Sequence, residues 1–477
     1  MHTGDVWSSE RQRTAIGRSG LSMPLRRTLG DGLLARGEAV LDFGCGRGQD
    51  VSRLAQMSVK ASGWDPYYSP DVPLVPHDVV MLTYVLNVIE TAAERESTLS
   101  RAWGLATKVL VVSCRLDWER NSVRGRTAGD GVMTTKQTFQ HFFKTKELRA
   151  LVENLTGAFC ISPTPGVVYA FRREETKLAY LARGAFSEFA WAEDHDRASA
   201  MREIVAFTEG RGRMPLFEEV PESVKPFYAT TSMLALRRLV LEGAKPGAVE
   251  LGKRNATLNT LLYLGTSLFS GRPKQQDMPA AVQADIKHCF GTYRSACMRA
   301  DRLLLKIRDD AYVRGAMKNS VGKMTASALY VHETAVSGMP VVLKLYEHCG
   351  FVAAGRPANW NILKLDHRGR RVSWSSYPAF DSDPHPTLDW TFGVDMHTLE
   401  SRRQEFGSRS NRPLLHRKEE FLSPDHEQVP DLKRLTSAEV RAGLYSNPNQ
   451  IGLEDGWEAE LKRCGVSIQG HSLVERS

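Results

Sequence analysis

Ala39-Val40-Leu41-Asp42-Phe43-Gly44-Cys45-Gly46-Arg47-Gly48 is the stretch on which the fold turns. Its first half reads as a short buried strand, its alternating glycines as a tight turn, and Val51, Leu54 and Ala55 beyond it as the inward stripe of a helix. Strand, glycine turn and helix in this order let a backbone pass close to a ligand, because glycine has no side chain in the way. The helix then offers unpaired N–H groups to whatever polar group sits over the turn.

Working outward, Ser22 is a helix cap with Pro24 in the first turn and Leu25, Leu29, Leu33 and Leu34 as the apolar stripe. Val59 to Trp64 reads as a second strand, stopped at Asp65-Pro66. Asp78 to Thr83 is a third strand, Ala92 to Ala106 a helix, and Lys108 to Cys114 a fourth strand with the continuous apolar character of a buried parallel sheet. Phe142 to Glu153 supplies a further helix. Ala158 to Ser162 and Val167 to Phe171 read as a closing strand pair around Pro163-Thr164-Pro165-Gly166.

This alternation predicts an α/β, Rossmann-like domain over residues 1–173. Residues 174–345 form a mostly helical region, broken by glycine and proline at 209–215 and 270–273. Residues 346–477 are expected to be α+β, with a hairpin from Asn361 to Ser376 turning at Asp366-His367-Arg368-Gly369-Arg370, a strand at Thr391 to Val394, and helix again from Ser437.

The chain of 477 residues is long enough for two or three cores. With 42% apolar and 25% charged residues it matches neither a disordered nor a fibrous protein. No apolar run approaches the roughly 18 residues needed to span a bilayer. The first residues, with Asp5, Glu10, Arg11 and Arg13, lack the apolar core of a secretory signal. Cys45, Cys114, Cys160, Cys289, Cys297, Cys349 and Cys464 are scattered without metal-binding spacing, as free thiols of a reducing compartment would be. These features predict a cytoplasmic protein with no membrane partner. The net charge of +8 is uneven, with Arg368, Arg370, Arg371, Arg402, Arg403, Arg409, Arg412, Arg417 and Lys418 falling late. Such clustering suits either a nucleic-acid footprint or a solvated basic face.

The dinucleotide fingerprint spaces its glycines as G-x-G-x-x-G. Here they run G-x-G-x-G after Asp42, which resembles the first motif of class I methyltransferases. That resemblance implies S-adenosylmethionine as cofactor, held by Asp42, Gly44, Cys45, Gly46 and Gly48, with Asp42 near its methionine end. Asp65, 23 residues on, has the chemistry to accept both ribose hydroxyls, or is a turn residue before Pro66. The run Asp78 to Glu90 resembles the fourth strand and substrate-facing loop of these enzymes. Phe139 to Leu151 resembles their late helix, and the pair near Pro165 the antiparallel end of their sheet.

Two motifs are missing. No N/D-P-P-Y/F follows the strand ending at Thr83, so the amino methylation of a flipped base is unsupported. No Pro-Cys pair offers the thiolate that cytosine-5 methylation needs. Tyr84, Asn87 and Glu90 occupy the equivalent region, with Tyr84 and Asn87 as candidate catalytic residues or as helix-start and surface residues. The acid that often follows a third strand to bind adenine has no clear place, since residues 69–77 are few and hold three prolines. The loop from Arg115 to Gln137 carries Arg124-Gly125-Arg126 and Gly129-Asp130-Gly131, which suits a phosphate-meeting lid or a plain solvated loop.

Over nearly its whole length the chain resembles the methyltransferases associated with DNA phosphorothioation. The resemblance is carried by residues 14–19, Phe43 to Gly48, Gly63-Trp64-Asp65-Pro66, Tyr84 to Glu90, Gly129 to Val132, Leu329 to His332, Tyr377 to Asp381, Asp383 to Pro386, His416 to Glu419 and Gly456-Trp457. It implies DNA as the neighbourhood of action and DNA-modification proteins as partners, while the basic loop and the late basic clustering supply Arg124, Arg126, Arg370, Arg371, Arg417 and Lys418 as candidate nucleic-acid contacts. The alternative is a non-catalytic scaffold or regulator that keeps the cofactor as a structural ligand. Asp381, Asp383, His385, His416, Lys418 and Glu419 form the densest polar set of the second half, open to a metal-nuclease reading, a rigid turn or an ion-pair cluster.

Overall fold

The structure, a computed structural model, describes residues 11–15, 20–35, 37–183 and 197–476. Residues 16–19 of the motif at 14–19, and Asp5 and Glu10, lie outside the described residues. The contacts divide the chain into two compact units, residues 1–170 with 307–477, and residues 171–306.

In the first unit, α1 (Met23–Gly30) starts where the Ser22 hydroxyl accepts the Leu25 N–H. The order continues β1 (Ala39–Phe43), α2 (Gln49–Gln56), β2 (Lys60–Trp64), β3 (His77–Thr83), α3 (Ala92–Leu105) and β4 (Ala106–Ser113). A small antiparallel sheet follows, made of β5 (Gly125–Ala128), β6 (Gly131–Thr134) and β7 (Phe139–Gln140). Then come α4 (Thr145–Thr156), β8 (Cys160–Thr164) and β9 (Val167–Phe171). The main sheet runs β2-β1-β3-β4-β9-β8. β1 is parallel to β2 and β3, β3 is parallel to β4, and β8 and β9 are antiparallel. This is the Rossmann-like α/β arrangement expected for this region. Among the described residues β2 is the edge of this sheet, and no further strand pairs outside it, in keeping with the few, proline-rich residues 69–77. Residues 139–144, expected in a helix, instead hold β7 and a turn, and the helix begins at Thr145. The core on the α3 and α4 side of the sheet joins Leu41, Phe43, Val80, Leu82, Leu99, Leu110, Leu148 and Val168.

The second unit is helical: α5 (Glu174–Arg183), α6 (Arg197–Arg211), α7 (Lys225–Thr230), α8 (Met233–Gly243), α9 (Ala248–Ser267), α10 (Ala280–Phe290) and α11 (Tyr293–Leu305). α6, α10 and α11 pack on α9. The α6 end crosses α9 so closely that a Cβ on Gly252 would lie 2.0 Å from the Glu209 carbonyl oxygen. The Gly210-Arg211-Gly212-Arg213 break is this crossing turn, and its arginines face inward. Arg213 Nε donates to Asp285 Oδ1 at 2.5 Å and its Nη1 to Glu219 Oε2 at 2.6 Å, while Arg211 Nη1 donates to Asp285 Oδ2 at 2.8 Å.

Back in the first unit, α12 (Asp310–Lys318) leads into β10 (Lys323–Met324) and β11 (Ala328–His332), inside a stretch expected to be helical. α13 (Val341–Ala354), β12 (Ile362–Asp366), β13 (Arg371–Ser376), β14 (Trp390–Asp395) and β15 (Ser401–Glu405) follow, and β10 to β15 form one antiparallel sheet in chain order. Its pairing draws residues 307–345 into the first unit rather than into the helical one. The β12–β13 turn is held by Asp366 Oδ1, which accepts the N–H groups of Arg368 and Gly369 at 2.8 and 2.7 Å. α14 (Val429–Arg441), α15 (Glu454–Cys464), β16 (Val466–Gln469) and β17 (Ser472–Glu475) complete the chain.

Asp285 is fully buried, so Asp285→Ala removes the carboxylate that two guanidinium groups share and leaves Arg213 with Glu219 alone as its acid. Breaking such a pair costs about 3–5 kcal/mol, and the expected outcome is a matching fall in stability when the full chain is unfolded by denaturant. An unfolding midpoint equal to that of the wild type contradicts the placement.

Candidate cofactor site

A cavity of about 450 Å³ opens where β1, β2 and β3 end. Its floor is the glycine turn. The Gly44 and Cys45 N–H groups both donate to the Trp64 carbonyl, at 2.7 and 3.1 Å, which pins the turn to the end of β2. Gly44 sits at φ +91°, and a Cβ there would come within 2.4 Å of a Val85 methyl, so both dihedral and space require glycine. Gly46 donates its N–H to Asp65 Oδ2 at 3.0 Å, while Gly48 caps α2 from the left-handed region with open space beside it.

Asp65 closes a turn, the second of the two readings that its place before Pro66 allows. Oδ1 accepts the N–H groups of Tyr67 and Tyr68, both at 2.9 Å, so one carboxylate ties the glycine turn to the loop after β2. Four lone-pair directions less three such bonds leave Asp65 room to accept a hydroxyl. Asp42, nearly buried, lines the same cavity. Asp42, Gly44, Cys45, Gly46 and Asp65 therefore meet around one space, with Gly48 capping the helix behind it. Cys45 lines it as a neutral thiol, because burial, with Asp42 and Asp65 nearby, pushes its pKa up to about 12. Gly63 is a member that the sequence reading missed. A Cβ on it would lie 2.9 Å from Cys45 Sγ and 2.7 Å from a Val51 methyl, so its absence lets the turn lie on β2.

Over the cavity runs the segment Arg11–Ala15, also missed from sequence. Arg11 bridges Glu90 and Glu94, with Nε 2.8 Å from Glu90 Oε2 and Nη2 2.7 Å from Glu94 Oε2. The Tyr68 hydroxyl donates to the Gln12 carbonyl at 2.9 Å. The signal for this strap was the run of charge and amide at residues 10–13, which reads as solvated surface until its carboxylate partners, some 80 residues on, are known.

Tyr84 lines the cavity from a left-handed conformation, φ +60°, with its N–H on the Ser113 carbonyl. A non-glycine residue held there costs of order 1 kcal/mol or more and marks an over-determined position. Asn87, expected to orient a substrate, does not reach the cavity. Its side chain is buried, with Oδ1 accepting the Arg115 N–H at 2.8 Å and Nδ2 donating to the His141 carbonyl at 2.6 Å. The amide joins the loop after β3 to the backbones at Arg115 and His141, away from the cavity, which corrects its catalytic reading.

The candidate nucleic-acid residues do not form one surface. Arg124 and Arg126 are exposed on the β5–β6 hairpin. Arg370 is committed to the Ile307 and Arg308 carbonyls and Asp310, at 3.0, 2.8 and 2.6 Å. Arg371 is largely exposed, 3.6 Å from Asp395. Arg417 lies over the Tyr445 ring. Lys418 is interior, donating to the Phe380 and Asp383 carbonyls, and burial lowers its pKa to about 8. It is a turn-closing group, and its reading as a phosphate contact is corrected.

Asp383, His385 and His416 of that polar set are likewise engaged within the fold. Asp383 Oδ1 accepts the His385 N–H at 2.9 Å. His385 and His416 each lie 4.6 Å from the Trp457 ring, His385 Nε2 is 3.1 Å from Glu439 Oε1, and His416 Nε2 donates to the Ile451 carbonyl. Burial lowers the His416 pKa to about 4, so it is neutral. Among the described residues no group of three or more His, Cys, Asp or Glu is placed to hold a metal. No helix among them is long and apolar enough to cross a membrane.

No family model matches the chain, and no curated protein matches it. Among solved structures the chain is similar to magnesium protoporphyrin IX methyltransferase from Synechocystis PCC 6803 with bound SAH, at 18% identity over 31% of this chain and 80% of that one, TM-score 0.23. It is also similar to CalS10, an amino pentose methyltransferase from Micromonospora echinaspora with bound SAM, at 16% identity over 34% and 94%, TM-score 0.25. A third is the CcbJ methyltransferase from Streptomyces caelestis, at 14% identity over 33% and 92%, TM-score 0.25. The fold assignment rests on strand order and the glycine turn rather than on these partial overlaps. The residues present fit S-adenosylmethionine: a cradle closed to side chains at Gly44, and a carboxylate at the end of β2 with acceptor capacity to spare.

A half-buried thiol held neutral is a poor nucleophile. Cys45 should therefore resist iodoacetamide at pH 8, and its alkylation rate should keep rising up to about pH 12 as the thiolate forms. Rapid labelling with a midpoint near the ordinary value of about 8.5 contradicts this environment.

Proposed function

We propose that this chain is an S-adenosylmethionine-dependent methyltransferase acting on nucleic acid, DNA foremost, alongside proteins of a DNA-modification system such as phosphorothioation. The observation that carries the reading is the convergence of the glycine turn after β1 and Asp65 after β2 on one cavity. When bound, the cofactor supplies an activated methyl group on a sulfonium. The chain's own residues divide the remaining work. The first turn of α2 offers N–H groups, Asp65 offers its one remaining acceptor direction to a ribose hydroxyl, and Asp42 offers a negative charge near the methionine end.

Support for a nucleic-acid acceptor comes from the motif resemblance and from the β5–β6 hairpin. Arg120, Arg124, Arg126 and Lys136 are exposed there. The one acid in the hairpin turn, Asp130, faces the buried Arg95 of α3. A ribbon of exposed cations anchored this way suits backbone phosphates. A second reading, a scaffold that binds the cofactor without turnover, is favoured by Asn87 being consumed in loop contacts and by Arg11 engaging both Glu90 and Glu94.

Calorimetry with S-adenosylmethionine should show saturable binding, weakened roughly tenfold or more in Asp65→Ala, a loss of about 1.4 kcal/mol or above. Unchanged binding in that variant, or none in the wild type, removes the cofactor assignment. Transfer of a labelled methyl group to plain DNA, phosphorothioated DNA or RNA supports the enzyme, and binding without transfer to nucleic acid or protein supports the scaffold. Replacing Arg124 and Arg126 together by Ala should weaken DNA binding about equally across sequences and lower the salt slope by about 2; an unchanged slope contradicts the hairpin's role.

A further inference from the structure

Methyltransferases of the class this chain resembles often bind adenine through an acid after a third strand. Here the sheet ends at β2, and residues 65–69 turn back on themselves through the Asp65 and Ser69 backbones, at 3.4 and 3.0 Å. Of the acids that line the cavity, Asp65 is tied to three N–H groups, Glu94 is bridged by Arg11, Asp50 accepts the Ser22 N–H, and Asp42 sits at the end of β1. The job of reading a purine edge therefore falls to other groups.

α3 supplies them. Arg95, Leu99 and Ala102 are its buried positions, and the neighbouring stripe, Glu94, Thr98 and Arg101, lines the cavity at helical spacing. The Arg101 guanidinium lies 5.4 Å from the Trp64 ring centroid and 5.8 Å from that of Phe43, and the two rings are 4.7 Å apart. Trp64 immediately precedes Asp65, so a base attached to a ribose held by that carboxylate is within reach of this wall. An indole and a guanidinium both offer flat faces for stacking. A 6-amino purine also presents one donor and one acceptor on its edge. Arginine can only donate. The Thr98 hydroxyl is the neutral group of the wall that both donates and accepts.

We propose that Thr98 and Arg101 of α3, with the Trp64 ring, form the purine-recognition wall of the cofactor site, in place of an acid after a third strand, Thr98 reading the 6-amino group and Arg101 supplying the stack. This rests on the cofactor reading above. The wall confers specificity rather than chemistry, and α3 is thereby both a sheet-covering helix and a ligand contact.

The test is calorimetry of the full chain with S-adenosylhomocysteine and with S-inosylhomocysteine, in which the amino group is replaced by a carbonyl. Wild type should prefer the adenine ligand by about tenfold, the discrimination of one hydrogen bond read by a site shaped for it. Thr98→Val, nearly equal in volume, should bring the two within about threefold of each other. Arg101→Ala should weaken both by a similar factor, roughly tenfold, and leave the preference in place. Wild type binding S-adenosylhomocysteine while Thr98→Val keeps the full preference overturns the wall but leaves the cofactor reading intact. Failure of the wild type to bind either ligand overturns both. A circular dichroism spectrum and melting point matching the wild type's distinguish loss of recognition from loss of fold in each variant.

Discussion

The Trp64 carbonyl accepts two N–H groups from the glycine turn, and the next residue, Asp65, accepts a third from Gly46. These bonds fix the end of β1 against the end of β2. Both strands are held in register along their length by parallel pairing from Ala39 and Lys60 to Phe43 and Trp64, so the turn has a rigid base. Without that anchoring a loop rich in glycine would sample many conformations and lose more backbone entropy on binding a ligand. Everything assigned to the site follows from it. The Arg11–Ala15 strap crosses a turn held by these bonds, and α3 borders the same cavity.

The second half of the first unit supports this site from a distance. α13 packs against β8 and α4, Arg149 donates to the Val352 carbonyl, and Trp118 meets Phe392. The polar residues that looked catalytic there are occupied in closing turns and filling space. Lys418 caps two carbonyls, and His385 and His416 flank Trp457. Burial without a partner would be expensive for such groups, and their partners are mostly backbone carbonyls, which no side-chain motif announces.

This difference explains what could be read from the residues alone. The strand, glycine turn and helix were legible because each is a local feature: apolar run, alternating glycine, helical stripe. The missing third strand was legible from the shortness and proline content of residues 69–77. The roles of Asn87 and Lys418 are not legible from residue type, because they depend on carbonyls of His141, Phe380 and Asp383 that approach only in the folded chain. Arg11 and the α3 stripe went unseen for the same reason. The contact of Arg11 with Glu90 spans 79 residues, and a Thr and an Arg on a helix read as solvated surface until a cavity is found beside them. The hairpin at residues 125–134 is not legible as strands, since glycine and arginine in alternation carry little strand propensity.

On the proposed reading the ends of β1, β2 and β3 together hold the cofactor. Hydrogen exchange of the full chain with and without S-adenosylhomocysteine measures this at the backbone. That reading predicts that the ligand slows exchange in peptides covering residues 43–48, 64–68 and 83–89, with little change in residues 307–477. Protection confined to the second half of the chain, or none anywhere at saturating ligand, would contradict it.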